Sequence, residues 1–202
     1  MPALATSADG AYVFMALEDA SGNQVIVKAA RTDLSTWSAA YQPGAGSAAN
    51  VAQVAGNPDK MLFYGNFGTD VTVVMHTIST ATNTDISPAS LGAKVVNTAA
   101  VNPSDEDEIV ISIDTDQDLK HTSDGGTTWT AWDATLGFDA TALFALWSGA
   151  YFLHRYFVAG QVAGPAGELR YSPNEGSSDA DKTGAMSVTD VSGVEVTEEA
   201  GP

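Results

Sequence analysis

Apolar residues along this chain come in short runs, several alternating with polar ones, and never with the spacing of a helical face. AYVFMAL at 11–17, QVIVKAA at 24–30, MLFYGN at 61–66, VTVVMHTI at 71–78, IVISI at 109–113 and YFLHRYFVA at 151–159 are the clearest. They are rich in Val, Ile, Phe, Tyr and Thr, residues that suit a pleated, half-buried surface. Turn chemistry separates them: Asp9-Gly10, the 20–23 stretch, Gly56 to Lys60, and Gly68 to Asp70. Such punctuation between short runs predicts antiparallel strands joined by hairpins. No stretch carries a sustained 3.6-residue period, so helices are expected to be minor.

The runs repeat. Asn57-Pro58 returns as Asn102-Pro103, and His76-Thr77 returns as His121-Thr122, both at one spacing of about 45 residues, the period of a four-stranded propeller blade. Reading outward from that period divides the chain into four units at roughly 3–45, 46–92, 93–137 and 138–186. The expected fold is therefore all-β, a small β-propeller of about four four-stranded blades. Residues 187–202 remain, an alternating half followed by an acidic end, expected as a closing strand and a tail. A ring must hide its seam, since an unpaired strand edge invites association.

One stretch is diagnostic beyond the period. Thr122-Ser123-Asp124-Gly125-Gly126-Thr127-Thr128-Trp129 reads T-x-D-x-G-x-T-W. Asp-Gly is a strong hairpin signal, because glycine accepts a positive φ and the aspartate can hold the backbone of its own turn. This stretch resembles the Asp-box (BNR) repeat of sialidase- and sortilin-type propellers, with Thr122, Asp124, Gly126, Thr128 and Trp129 at the patterned positions. The resemblance implies a structural staple in the last hairpin of a blade, away from any ligand site. Thr32 to Trp37 reads as a shortened relative, 79–85 has lost the pattern, and a degenerate copy starts at Pro173. Trp37 and Trp129 are accordingly expected in the core. Sialidases also need an arginine triad and a Tyr–Glu pair. Only Arg31, Arg155 and Arg170 exist here, and two of them fall at comparable repeat positions.

Charge narrows the partners. The chain has 25 acidic against 8 basic residues, a net charge of −17, which excludes the basic footprint that nucleic acid requires and opposes docking on an anionic membrane. No run of 18 apolar residues is present, so no spanning helix is expected. The N-terminus lacks the features of a signal peptide, pointing to the cytoplasm or to release with a virus particle; a salt-adapted surface is equally compatible with the acidity. The absence of cysteine excludes disulfides and thiolate chemistry.

Candidate chemistry is sparse, and no cofactor is expected. Asp114, Asp116 and Asp118 open like a calcium loop, but its sixth and twelfth positions are Leu119 and Gly125 instead of Gly and Glu, so a solvated turn is the better reading. Asp105 to Glu108 reads as an exposed acidic loop, unlike an acid/base pair facing across a pocket. His76 and His121 take the same repeat position, and His154 reads as a core residue. No nucleophile elbow, phosphate loop or H-E-x-x-H occurs. Trp132, Trp147 and Arg155 are left as binding candidates. These features lead to a non-catalytic structural or protein-interaction module, self-assembling or carried on a virion as a decoration, spike or tail component. The alternative is a lectin-like propeller that binds glycan between blades through aromatic and backbone groups.

Overall fold

The computed structural model describes residues 3–44, 46, 48–68, 70–89, 91, 94–114, 118–133, 139–146, 155–161, 167–172 and 180–181. Among them there is no helix, and the strands form four antiparallel sheets of four strands each. The first holds β1 (Leu4–Thr6), β2 (Tyr12–Glu18), β3 (Gln24–Ala30) and β4 (Asp33–Gly44). The second holds β5 (Ala48–Gln53), β6 (Lys60–Asn66), β7 (Val73–Thr77) and β8 (Thr82–Asp85). The third holds β9 (Val96–Asn102), β10 (Asp105–Ile113), β11 (Asp118–Thr122) and β12 (Thr130–Asp133). The fourth holds β13 (Asp139–Leu146), β14 (Arg155–Gln161), β15 (Gly167–Ser172) and β16 (Ala180–Asp181). In every sheet each strand pairs with the next in sequence, the up-and-down order of a propeller blade. The expected closing strand at 187–202 lies outside the described residues.

The sheets stack face to face in chain order, the first on the second, the second on the third and the third on the fourth. Strand alternation explains why β6 is apolar at consecutive positions. Met61 and Phe63 pack against Phe14, Ala16 and Ile26 of the first sheet. Leu62, with Tyr64 beside it, packs against Ile109, Ile111 and Ile113 of the third. A sheet covered on both faces needs apolar residues on both. The core is thus a series of thin layers between blades.

Three local expectations change. β4 runs straight through the shortened box, and Trp37, on that outer strand, is 37% exposed with its indole N–H donating to the Leu34 carbonyl at 2.9 Å. It is no core residue. Thr82–Asp85, expected in a lost box, is the outer strand of the second sheet. The acidic run Asp105 to Glu108 opens β10 in place of a loop, and its side chains do not stay in solvent together. Glu106 pairs across to Lys60 and Asn57 of the second sheet, and the Lys60 contact foremost holds its carboxyl below the usual range. Glu108 is buried, accepting from Asn102 Nδ2 at 2.5 Å and lying 3.2 Å from His121 Nε2.

The histidines also part company. His76 and His121 each sit fourth in the third strand of their sheet, yet His76 pairs with Met61, on the face toward the preceding sheet. His121 pairs with Val110, whose neighbours Ile109 and Ile111 take that preceding-sheet face. The register shift between Asp105 and Ile109 in β10 accompanies this change. One residue of slip is enough, because side chains alternate with period two.

Candidate functional site

The first two sheets meet at a cleft of about 220 Å³ lined by Asp9, Tyr12, Pro58, Asp59, Ile78 and Ser79. These residues belong to the β1–β2 turn, the β5–β6 turn and the turn after β7, with Tyr12 opening β2. The β1–β2 turn is built locally, and the other two hold each other. Gly10 takes φ +67°, Asp9 Oδ1 accepts from Ser7 Oγ at 2.7 Å and from the Ala11 N–H at 2.9 Å, and the Tyr12 N–H donates to Ser7 Oγ at 3.0 Å. Opposite, Ser79 donates twice to Asp59, from its N–H to Oδ1 and from its hydroxyl to Oδ2, both at 2.7 Å. Asn57 Oδ1 accepts the Asp59 N–H at 2.9 Å.

The electrostatics follow from those bonds. Asp9 is held below the usual carboxylate range first by the Ala11 N–H and then by Ser7, and Asp59 by the Ser79 hydroxyl and N–H. Both are therefore ionised at neutral pH. Oδ1 of Asp9 accepts from Ser7 and Ala11, which leaves the acceptor capacity of Oδ2, and each Asp59 oxygen retains a second lone pair. The Lys28 ammonium lies 5.6 Å from the centre of the Tyr12 ring, a cation–π contact that orients it. The cleft combines an aromatic ring, two apolar side chains, a hydroxyl and two fixed acceptors.

His76, two residues before Ile78, is fully buried. Its ring stacks on Phe63 at 5.1 Å and meets Phe14 edge-on at 5.8 Å. Nδ1 lies 2.8 Å from Asn83 Oδ1, while Asn83 Nδ2 donates to the Ala40 carbonyl at 3.1 Å. That leaves Asn83 Oδ1 to accept, so Nδ1 bears the proton and the unpartnered Nε2 is a buried lone pair. Burial pushes the pKa below its ordinary 6.5; Asn83 and Asp59 oppose this and Lys28 reinforces it. Between 6.5 and that lower value the unfolded chain binds a proton that the folded chain refuses, so stability falls as pH drops through this window. The slope is at most about 1.4 kcal/mol per pH unit. Urea titrations at pH 7.0, 6.0 and 5.5 are expected to show the loss, and His76→Gln to flatten it. A second loss below pH ~4 comes from the depressed carboxylates, Asp9, Asp59 and Glu106 among them.

The Thr122–Trp129 turn is a separate construction. Thr122 Oγ1 donates to Asp124 Oδ1 at 2.8 Å and accepts the Gly126 N–H at 3.0 Å. Thr128 donates from its N–H to Asp124 Oδ1 at 2.8 Å and from its hydroxyl to Oδ2 at 2.6 Å. The Trp129 indole N–H reaches the Ile86 carbonyl of the second sheet's exit at 2.8 Å, with the ring against the core between the sheets. The turn clamps itself and ties the third sheet to the second.

The other candidates are not among the residues that line this cleft. Trp132 lies in β12, and Arg155 begins β14 opposite Leu146; Trp147 is outside the described residues. Asp114 follows β10 and Asp118 opens β11, with Asp116 outside the described residues. Among the described residues no group of three or more His, Asp or Glu side chains could hold a metal ion. The cleft residues carry no motif spacing. Their one sequence signal is rank: the first turns of consecutive repeats, Asp9-Gly10 and Asn57-Pro58-Asp59, fall at the same end of adjacent blades.

No family model and no curated protein matches the chain. Solved structures do. The GH74 enzyme of Niastella koreensis superposes with a TM-score of 0.64 at 19% identity, over 88% of this chain and 24% of that one. Prolyl oligopeptidase B of Galerina marginata, solved with a 35mer substrate, gives 0.51 at 13% identity, over 90% and 26%. The chain spans about a quarter of the length of either. These neighbours are enzymes, and that overturns the expectation of a non-enzyme: sparse motifs were its ground, and the fold is one that catalytic proteins use. What the likeness establishes is the architecture, a propeller-type all-β fold of four four-stranded antiparallel sheets.

Proposed function

We propose that this chain is a glycan-recognising propeller whose ligand sits in the cleft between the first two sheets. The observation that carries the reading is the make-up of that cleft, Tyr12 with Pro58 and Ile78 beside the acceptors of Asp9 and Asp59. A sugar ring presents an apolar C–H face and a rim of hydroxyls, and needs an aromatic or apolar wall together with a few fixed polar groups. The GH74 neighbour, a glycoside hydrolase, supports the same ligand class. Two ionised carboxylates accept from hydroxyls and repel acidic sugars, so neutral or amino sugars are the expected class. The alternative of a structural or virion component rests on the regularity of the repeat, the acidic composition and the sparse motifs.

A glycan array on the whole chain, followed by calorimetry, tests this. Neutral or amino glycans are expected to bind, and Tyr12→Ala or Asp9→Ala to weaken them by at least tenfold, while Leu34→Ala on the outer strand has no effect. An array without hits, or affinities untouched by Tyr12→Ala, would sink the reading.

A further inference from the structure

Asp59 is held at three points. Its carboxylate accepts twice from Ser79, its carbonyl accepts the Ile78 N–H at 2.8 Å, and its own N–H donates to Asn57 Oδ1 at 2.9 Å. The first two bonds come from the exit of β7, inside the second sheet. The third leads outside it. Asn57 Nδ2 donates to Glu106 Oε2, and Lys60 Nζ donates to Glu106 Oε1, so the start of β10 in the third sheet grips the β5–β6 turn with both carboxylate oxygens. An ionised carboxylate only accepts, so it fixes which end of the Asn57 amide faces it. With Nδ2 on Glu106, Oδ1 is the end left for the Asp59 N–H. Turned over, the amide would set a donor against that N–H and an acceptor against a carboxylate.

Asn102, at the same place in the next repeat, uses the device within one hairpin. Its Oδ1 accepts the Ser104 N–H at 2.9 Å, and its Nδ2 donates to Glu108 at 2.5 Å. Both partners lie in its own third sheet. At Asn57 the carboxylate comes from the following sheet, and the residue whose N–H is fixed is Asp59 of the cleft.

We propose that Glu106 is a positioning residue for the cleft between the first two sheets, holding Asp59 in place from the third sheet through the Asn57 amide. The inference rests on the reading of that cleft as a ligand site. Glu106 is not among the lining residues and acts through Asn57. The Ser79 and Ile78 bonds tie Asp59 to the exit of β7, and the Asn57 bond sets the path of the β5–β6 turn that carries it. A binding group has to stay within about 0.5 Å of its productive position, which its supporting hydrogen bonds enforce. Loss of the Glu106 contact frees the Asn57 amide, and with it the turn that presents the Asp59 oxygens. The cleft of the first two sheets thereby depends on how the third sits against the second.

Exchanging the two polar groups tests the proposal. Glu106→Gln sets an amide donor against the Asn57 donor, because the charged Lys60 claims the one oxygen, and Asn57→Asp sets two carboxylates against each other. Together they restore the pair with roles reversed at the same net charge. The new amide keeps its oxygen for Lys60 and donates to the new carboxylate, whose other oxygen accepts the Asp59 N–H. Hydrogen exchange of the Asp59 amide, followed by NMR on the whole chain without ligand, is expected to quicken about tenfold in either single variant and to return to within about twofold of the parent in the double. The Ala16 N–H, bonded to the Ala3 carbonyl of the first sheet at 2.9 Å, should keep its parent rate, whereas general loosening would move both. Calorimetry, with the neutral array glycan of highest signal as the probe, should show about fivefold weaker binding in each single variant and recovery in the double. Unchanged Asp59 exchange in both single variants, a double variant no better than the singles, or full glycan affinity in the singles overturns the proposal. The expected exchange pattern in a parent that binds no glycan would uphold the positioning of Asp59 and refute the ligand reading instead.

Discussion

Phe63→Ala is expected to lower stability by about 3–5 kcal/mol, the range for deleting a fully buried aromatic side chain. Phe63 is 0% exposed and sits where three rings converge: His76 stacked at 5.1 Å, Tyr41 at 6.2 Å and Phe14 tilted at 6.0 Å. It belongs to β6, in the middle of the second sheet, and faces the first. Removing it opens a void in a layer only one side chain deep on each side, where relaxation would have to shift a whole sheet. Thermal melting should move down by on the order of 10 °C for a chain of this length. The void also brings space, and with it water, beside the unpartnered Nε2 of His76. The stability loss on acidification below pH 6.5 should therefore be shallower in Phe63→Ala than in the parent. A melting shift under 2 °C would show that the two sheets do not depend on this layer.

The second large effect is expected at Gly126. Its φ is +90°, a conformation that costs an L side chain about 1–3 kcal/mol. A Cβ built there would come within 2.6 Å of Ile86 Cβ and 2.8 Å of the Ile86 carbonyl oxygen. Overpacking of this kind adds about 1–3 kcal/mol, and the backbone target cannot swing aside as a side-chain end could. Ile86 is also the residue whose carbonyl receives the Trp129 indole, so relief of the clash would break the tie between the third and second sheets. Gly126→Ala is expected to lose several kcal/mol and to change tryptophan fluorescence in the folded state. Gly10→Ala is the control. Its φ of +67° is also left-handed, but its nearest neighbour is the Arg31 guanidinium end at 3.6 Å, so it should cost only the strain of about 1–3 kcal/mol. Equal losses in urea melts of the two variants would refute the close-approach account.

The same turn shows how far local chemistry can be read from sequence. Asp124, Thr122 and Thr128 hold one another within seven residues, and Gly125 and Gly126 take the positive φ of the bend, so the hairpin was legible residue by residue. The strands were legible for the same reason. Alternation and Gly/Asn/Asp punctuation are short-range signals, and the recurrence at about 45 residues ordered them into four sheets. Misreadings arose where a residue's neighbours come from another blade. Trp37 reads as a box tryptophan, but its strand lies at the outer edge of its sheet. The run from Asp105 to Glu108 reads as a solvated loop, but Lys60 and Asn57 approach it from the preceding sheet and His121 from its own.

The candidate site belongs to that second group. Asp9, Tyr12, Asp59 and Ser79 are spread over 70 positions of sequence, and nothing in their spacing announces a cleft. What the sequence by itself determined was the all-β class, the hairpins and the repeat, because each depends on side chains and φ angles within a few residues of one another. What only the tertiary structure decided was which faces of consecutive sheets meet and which turns share an end. Those outcomes depend on register, where a slip of one residue sends His76 and His121 to opposite sides, and register is settled by packing between blades.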